Sequence, residues 1–348
     1  MPAVERESRR RRLGVMALQK TVCRVASPGW LRKAIGLARK ITTGALCRVG
    51  PSFRTSEEPI LRKASVMIDG LGGVDHVVVL VRDLDRARDT WAALGFTLSP
   101  RGVHSAHRGT GNHTIMLGPD YLELVGILSP TEHNAPSRAL LERREGIERA
   151  GLRARDVEVA AADLRRRGIA ITGPQDFSRP VDLPGDGTGE ARFRTIQWPF
   201  DCAPAGMRIF AVQHLTPELV WLPALQQHAN TARRLLCLEV LAHDPAKAAA
   251  ELSELIGMPD VVEQDGGYRI QPAPDRAAIV YLDRASARQR YPEAWLEPFT
   301  EEGGLAVTFE VGDLDAAAQE TGGMVLDPAG RVGVPPNRTS GVILNFVI

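Results

Sequence analysis

The chain has 348 residues, 44% of them hydrophobic and 24% charged. It is long enough for two domains with ample core, and wholesale disorder is excluded. No run approaches the ~18 uninterrupted apolar residues that a membrane-spanning helix needs, so no membrane partner is expected. The net charge of +1 conceals two different polypeptides. Residues 1–66 hold 15 Lys plus Arg against 4 Glu, a net of +11, and the remainder holds 28 basic against 38 acidic residues, a net of −10. An acidic body argues against nucleic acid as a partner. Cys23, Cys47, Cys202 and Cys237 are far apart and form no CxxC pair. This pattern suits free thiols in a reducing, cytoplasmic setting rather than a disulfide framework or a structural zinc site.

The segment 1–66, with "RESRRRRLGV" and "LRKAIGLARK", lacks the apolar core and cleavage site of a secretory signal. Its Arg-rich composition fits a transit peptide or a basic tail. It equally fits a disordered leader or an over-extended start ahead of Met67, and it is assigned no function. From Met67 onward one theme repeats. An apolar strand runs into Asp, an amphipathic helix follows, and Gly closes it. The instances are "VVVLVRDLDRARDTWAALG", "GLRARDVEVAAADLRRRG", "LCLEVLAHDPAKAAAELSELIG" and "LAVTFEVGDLDAAAQETGG". Asp83, Asp156, Asp244 and Asp313 are natural N-caps, and Gly95, Gly168, Gly257 and Gly322 suit the turn after a helix. In the first helix Leu84, Ala87, Trp91 and Leu94 form one apolar stripe.

Three strand-like runs follow each helix: "FTLSP", "NHTIMLG" and "YLELVGILS" after the first, "IAITG", "ARFRTIQWPF" and "MRIFAVQHL" after the second. The third is followed by "DVVEQDG", "GYRIQPA" and "AAIVYLD", the fourth by "MVLDPAG", "RVGVP" and "GVILNFVI". The predicted fold is α+β: four βαβββ modules paired into two cupped mixed sheets with the helices outside. The first domain takes residues 67–230 and the second 231–348.

The βαβββ repeat, the opening "DHVVVLVRDLDRARDTWAALGF" and the later "YLELVG" resemble the vicinal oxygen chelate superfamily, and within it the glyoxalase-like domain proteins. "GTGNHTIML", "QHLTPELVW" and "QQHANTARRL" are similar to the same group. Metal-binding members place ligands at the start of the first strand and the middle of the fourth. His76 and Glu123 occupy those positions. In the second module the first position offers Arg149, Arg153 and Arg155, and the fourth strand offers Gln213 or His214. Only one of these last two can face the cup. Imidazole is the better ligand, so the implied set is His76, Glu123 and His214, a two-histidine, one-carboxylate arrangement for a divalent ion such as Zn, Ni, Mn or Fe. The third and fourth modules carry Leu236 or Cys237, Ala306 and Asn345 at the matching positions, so they are expected to hold no metal and to complete a substrate wall or an interface. A homodimer is compatible with this plan.

Bland readings stand beside these. His76 alone could be a core histidine bonded to a carbonyl. Glu123 between Leu122 and Leu124 is costly to bury unless paired, though at an edge it could face solvent. His104, His107 and His113 share a Gly-rich loop, and only His113, on a strand, is placed near the pocket. Gln213, Trp198 and Trp221 are the further candidate pocket residues. The resemblance implies a lyase or isomerase in which Glu123 is a base and the metal stabilises an enediolate of a small substrate. Two alternatives stay open: an extradiol-type ring-cleaving dioxygenase, and a metal-free protein that binds or sequesters a small molecule.

Overall fold

The computed structural model describes residues 68–183, 187–257 and 260–348. The basic segment 1–66 therefore lies outside the described residues. The first module runs β1 (Leu71–Val81), α1 (Leu84–Ala92), β2 (Gly102–Val103), β3 (Thr110–Met116) and β4 (Tyr121–Ile127). Helix α2 (Ala135–Arg143) leads into the second module: β5 (Gly146–Ala154), α3 (Val157–Arg166), β6 (Thr172–Leu183), β7 (Gly187–Gln197) and β8 (Arg208–His214). The third comprises β9 (Ala232–Leu241), α4 (Pro245–Ile256), β10 (Val261–Gln264), β11 (Gly267–Ile270) and β12 (Ala278–Leu282). Helices α5 (Arg284–Arg290) and α6 (Glu293–Leu296) precede the fourth: β13 (Gly303–Val311), α7 (Leu314–Thr321), β14 (Met324–Val325), β15 (Val332–Val334) and β16 (Ile343–Val347).

The predicted caps form. Asp83 accepts from the amides of Asp85 and Arg86, Asp156 from Glu158 and Val159, Asp244 from Lys247, and Asp313 from Ala316. Gly257 and Gly322 end α4 and α7 at φ 66° and 56°, in left-handed backbone that disfavours any side chain. One expected strand is absent. "FTLSP" is irregular, and its place is taken by the two-residue β2. Pro100 has no amide to give a ladder, and Ser99 alone reaches β3, its amide donating to the Thr114 carbonyl at 2.9 Å.

The strands form two eight-stranded sheets of identical plan, β2-β3-β4-β1-β5-β8-β7-β6 and β10-β11-β12-β9-β13-β16-β15-β14. Within each module the first and last strands pair in parallel, β1 with β4 and β5 with β8. Neighbouring modules join through antiparallel first strands, β1 with β5 and β9 with β13. The alternation of β1 then decides what faces where. Val77, Val79 and Val81 enter a core shared with α1, α3, α4 and α7, while Val78 and Leu80 pack on the concave side. The same core takes in Leu238 and Val240 of β9 and Phe309 and Phe346 of the second sheet. Phe96 sits 5.6 Å from Trp91 and 5.2 Å from Phe309, ring centre to ring centre. The two sheets thus share one apolar core on their convex, helix-covered sides. Hydrogen bonds also cross between them: Asn230 Nδ2 donates to the Leu94 carbonyl at 2.8 Å, and the Leu235 amide to Asp120 Oδ1 at 2.9 Å.

Among the described residues, no helix is long and apolar enough to cross a membrane. Among the described residues Cys237 is a free thiol, as expected.

Candidate functional site

The concave face of the first sheet encloses a cavity of about 110 Å³. His76 and Glu123 both line it. The parallel β1–β4 register aligns His76 with Tyr121 and Val78 with Glu123, so one imidazole and one carboxylate stand on the same face a step apart. His76 Nε2 lies 3.6 Å from Glu123 Oε2. The imidazole is pinned on both sides. The Tyr121 ring stacks on it at 4.3 Å and 12°, and Gly151 of β5 leaves the space its other edge occupies.

Asp75 sits behind this pair, fully buried, and its Oδ1 meets both His76 Nδ1 and His214 Nε2 at 2.9 Å. Burial opposes its charge, but the two imidazoles hold the Asp75 carboxyl well below the usual range. An ionised carboxylate only accepts hydrogen bonds. His76 Nδ1 and His214 Nε2 therefore each carry the proton they donate to Asp75, and His76 Nε2 is turned toward Glu123. Glu123 Oε1 accepts from Asn112 Nδ2 at 2.6 Å and lies 3.9 Å from His104 Nε2. Burial raises the Glu123 pKa, yet His76, His104 and Asn112 outweigh it, and the net displacement is downward. His104, tied through Nδ1 to Thr110 Oγ1 at 2.7 Å, is pushed down to about 4 by burial and is neutral near pH 7.

Several expected positions are corrected. His214 does not line the cavity. It lies beyond Asp75, packed edge-on to Trp221 at 4.7 Å, because it ends β8 below the level of Glu123. His113 faces away: it pairs with Leu124, a core residue, while its neighbours Asn112 and Thr114 take the cup side. Gln213 points to the convex side too, where it accepts from the Val157 amide at 3.1 Å and donates to the Arg155 carbonyl. Trp198 is in the shared core, its indole N–H donating to the Leu255 carbonyl of α4 at 3.1 Å. Trp221 backs Tyr121 and His214 without reaching the cavity, though its neighbour Val220 does.

Sequence reasoning missed others. His104, set aside with the loop histidines, is at the cavity beside Glu123. Glu148, the residue before Arg149, was passed over and is buried between Arg149 and Arg208. Arg108, Arg149, Arg179 and Arg208 all line the cavity. Alternation from Glu123 through the β3–β4 hairpin would have selected Asn112 and Thr114 over His113. No local signal marks residues as distant as Arg108 and Arg179 as neighbours.

Among the described residues, those lining this cavity all fall between His76 and Val220, and none comes from the second sheet. Its own concave face carries Cys237, Glu239, Val280 and Thr308, with Glu239 bound by Arg290 and the Tyr291 hydroxyl. Among the described residues no histidine lines it; of the two roles expected for it, a wall for the first site or an interface, the first is not met.

Two donors 3.6 Å apart can both reach one ion at the ~2.0–2.2 Å usual for nitrogen and oxygen ligands. The facing imidazole nitrogen and carboxylate, the first buried and the second largely so, suit a cation between them. The Asp75 contact is the second-layer support that metal-bound histidines ordinarily have. Among the described residues no three His, Cys, Asp or Glu side chains enclose an ion, and the second module faces His76 with Gly151 and Val78 with Arg149. The residues present therefore fit a divalent ion gripped from one side by His76 and Glu123, with His104 the nearest third donor.

Comparison with known proteins agrees with this architecture. A family model described as a glyoxalase-like domain matches residues 74–256. A hypothetical protein from Staphylococcus aureus superposes with a TM-score of 0.56 at 14% identity, over 79% of this chain and 98% of its own. A mutant 4-hydroxymandelate synthase from Streptomyces coelicolor does so with a TM-score of 0.50 at 13% identity, over 80% and 92%. Methylmalonyl-CoA epimerase from Mycobacterium tuberculosis, 22% identical, aligns over 41% of this chain and 89% of its own, with a TM-score of 0.32. No curated protein matches the sequence significantly. At such identities the structural likeness speaks for the fold alone. With more than half of the sequence answering to one model and both sheets built on the βαβββ module, the chain belongs to the glyoxalase-like domain family.

Proposed function

We propose that the protein is a glyoxalase-like enzyme of the lyase or isomerase type, acting on a small oxygen-bearing substrate in the first cup with a divalent metal held by His76 and Glu123. The observation that carries this reading is the convergence of His76 Nε2 and Glu123 Oε2 at 3.6 Å inside a cavity, with the imidazole tautomer fixed from behind by Asp75. A bound metal would supply Lewis-acid stabilisation of negative charge on a substrate oxygen. Asp75 holds His76 Nε2 toward the cavity. Asn112 fixes Glu123 Oε1 and leaves Oε2 facing His76. A general base works best with a pKa near the working pH, and Glu123 is displaced the other way. Its stronger role is as an ionised ligand, and His104, pushed down to about 4 by burial, stands beside it as a neutral imidazole. Tyr121, Phe193 and Phe210 keep water from the inner wall.

The test is the metal content of the full chain beside His76→Ala and Glu123→Ala, purified without chelator. Near-stoichiometric metal in the wild type and its loss from both variants is the expected result; equal content in all three ends the metal reading. One observation favours a second reading, a metal-free small-molecule binder: the second module supplies Gly151 and Arg149 and no further ligand. An extradiol-type dioxygenase has less support, since among the described residues lining the second cup there is no histidine.

A further inference from the structure

The cavity that holds His76 and Glu123 is also lined by four guanidinium groups, and these fall into two pairs. Arg149 and Arg208 are direct register partners on β5 and β8 and share one buried acid, Arg149 on Glu148 Oε2 and Arg208 on Glu148 Oε1. Arg108 and Arg179 line the cavity together with Phe177. Arg108 lies over the Phe177 ring, 4.3 Å from guanidinium carbon to centroid, and Arg179 is two residues along β6 on the same face. Neither makes an ion pair among the described residues.

The charges do not cancel. Arg108, Arg149, Arg179 and Arg208 stand against Glu123 and Glu148, while Asp75 is answered by His214 and by Arg153 at 3.9 Å. Two positive charges are left over in a partly enclosed space of low dielectric, where like charges repel more than at an open surface. That crowding is visible in Arg108 and Arg208, both held below the ordinary arginine range by burial and by Arg149. Surface arginines of this chain, such as Arg88 and Arg194, have carboxylate partners within reach.

We infer that the first cavity takes a small dianion: either a dicarboxylate, with one carboxylate facing Arg108 and Arg179 and the other facing Arg149 and Arg208, or a phosphate monoester, whose single phosphoryl group faces Arg108 and Arg179, the pair with no carboxylate of its own. Planar forks of N–H donors match carboxylate and phosphate oxygens in geometry as well as charge. At about 110 Å³ the space is smaller than the ~150 Å³ cavity that admits benzene, so only part of a ligand of malonate's size is enclosed by it. Phe177, Phe193, Phe200 and Phe210 also line the cavity and give apolar surface for the carbon part of the ligand, with Arg108 lying over Phe177 and Arg208 over Phe200. The inference rests on the first cup being the substrate site and not on a metal being bound there.

The experiment is calorimetric titration of the full chain with malonate, inorganic phosphate and acetate, after treatment with chelator and again with metal restored. Malonate or phosphate should bind at least ~10-fold more tightly than acetate, and whichever binds identifies the anion. Arg179→Gln and Arg108→Gln should each weaken that binding ~10-fold or more, and the exposed Arg88→Gln should leave it unchanged. Should the cavity variants fold poorly, the wild-type affinity provides the second reading, and it must fall steeply as salt rises. Acetate binding as tightly as both dianions, or dianion affinity indifferent to salt and to both substitutions, overturns the inference. Stripped protein that still prefers a dianion but takes up no metal sinks the metal reading alone; metal uptake without that preference sinks this one alone.

Discussion

Gly151→Ala tests the geometry of the site more directly than removing a ligand does. A Cβ built at Gly151 would lie 2.4 Å from His76 Cε1, 2.7 Å from Nδ1 and 2.9 Å from Nε2, where carbon contacts normally begin near ~3.5 Å. The imidazole must therefore move by about 1 Å. It has nowhere to go, because Tyr121 stacks on it from the β4 side at 4.3 Å and Phe210 meets it edge-on at 5.2 Å. Any displacement also draws Nδ1 away from Asp75 Oδ1, now at 2.9 Å. Overpacking of this kind costs about 1–3 kcal/mol. That corresponds to a fall in melting temperature of several degrees, at ~2–4 °C per kcal/mol in a chain of roughly this size. Calorimetry should be run on wild type, Gly151→Ala, His76→Ala and the double variant. With the ring gone the added methyl has room, so in the His76→Ala background Gly151→Ala should cost nothing or stabilise slightly. An equal cost in both backgrounds would mean that the glycine answers to something other than the imidazole, and the pinned-ring account would fail. Metal content should fall with Gly151→Ala even though no ligand has been changed.

Two further outcomes are expected. Asp120 is buried where the sheets meet, Oδ1 accepting from the Leu235 amide and Oδ2 without a partner, and burial pushes it up from 3.8 to about 7 despite Arg276 and Arg234 nearby. A raised carboxyl favours folding while it is protonated, so its contribution is complete below pH ~4 and is lost as pH rises through ~7, at most about 4 kcal/mol. Asp120→Asn should therefore gain on the wild type in melting temperature as pH is taken from 4 to 8; a gap that stays constant with pH would refute this. His214→Gln should keep metal near the wild-type level and His104→Gln should lose affinity, because His104 and not His214 stands beside Glu123; the reverse order, measured by metal titration, would reinstate His214 as a ligand.

What the sequence determined by itself was whatever depends on short-range periodicity. Four Asp caps, the apolar stripe of α1 and three extended runs after each helix specify the βαβββ module, because capping and side-chain alternation act within a few residues. The facing of His76 and Glu123 was legible too, since a parallel first-to-fourth strand pairing brings their positions together in any such module. Which residues joined them was not. His104 and His113 exchanged roles because a loop and a one-residue step in a hairpin decide which face a side chain takes. Gln213, Trp198 and His214 turned to the core or to Asp75 for the same reason. The ring of Arg108, Arg149, Arg179 and Arg208 draws on a loop and three strands. Only the curl of the sheet makes neighbours of them, because charges meet through space and carry no period along the chain.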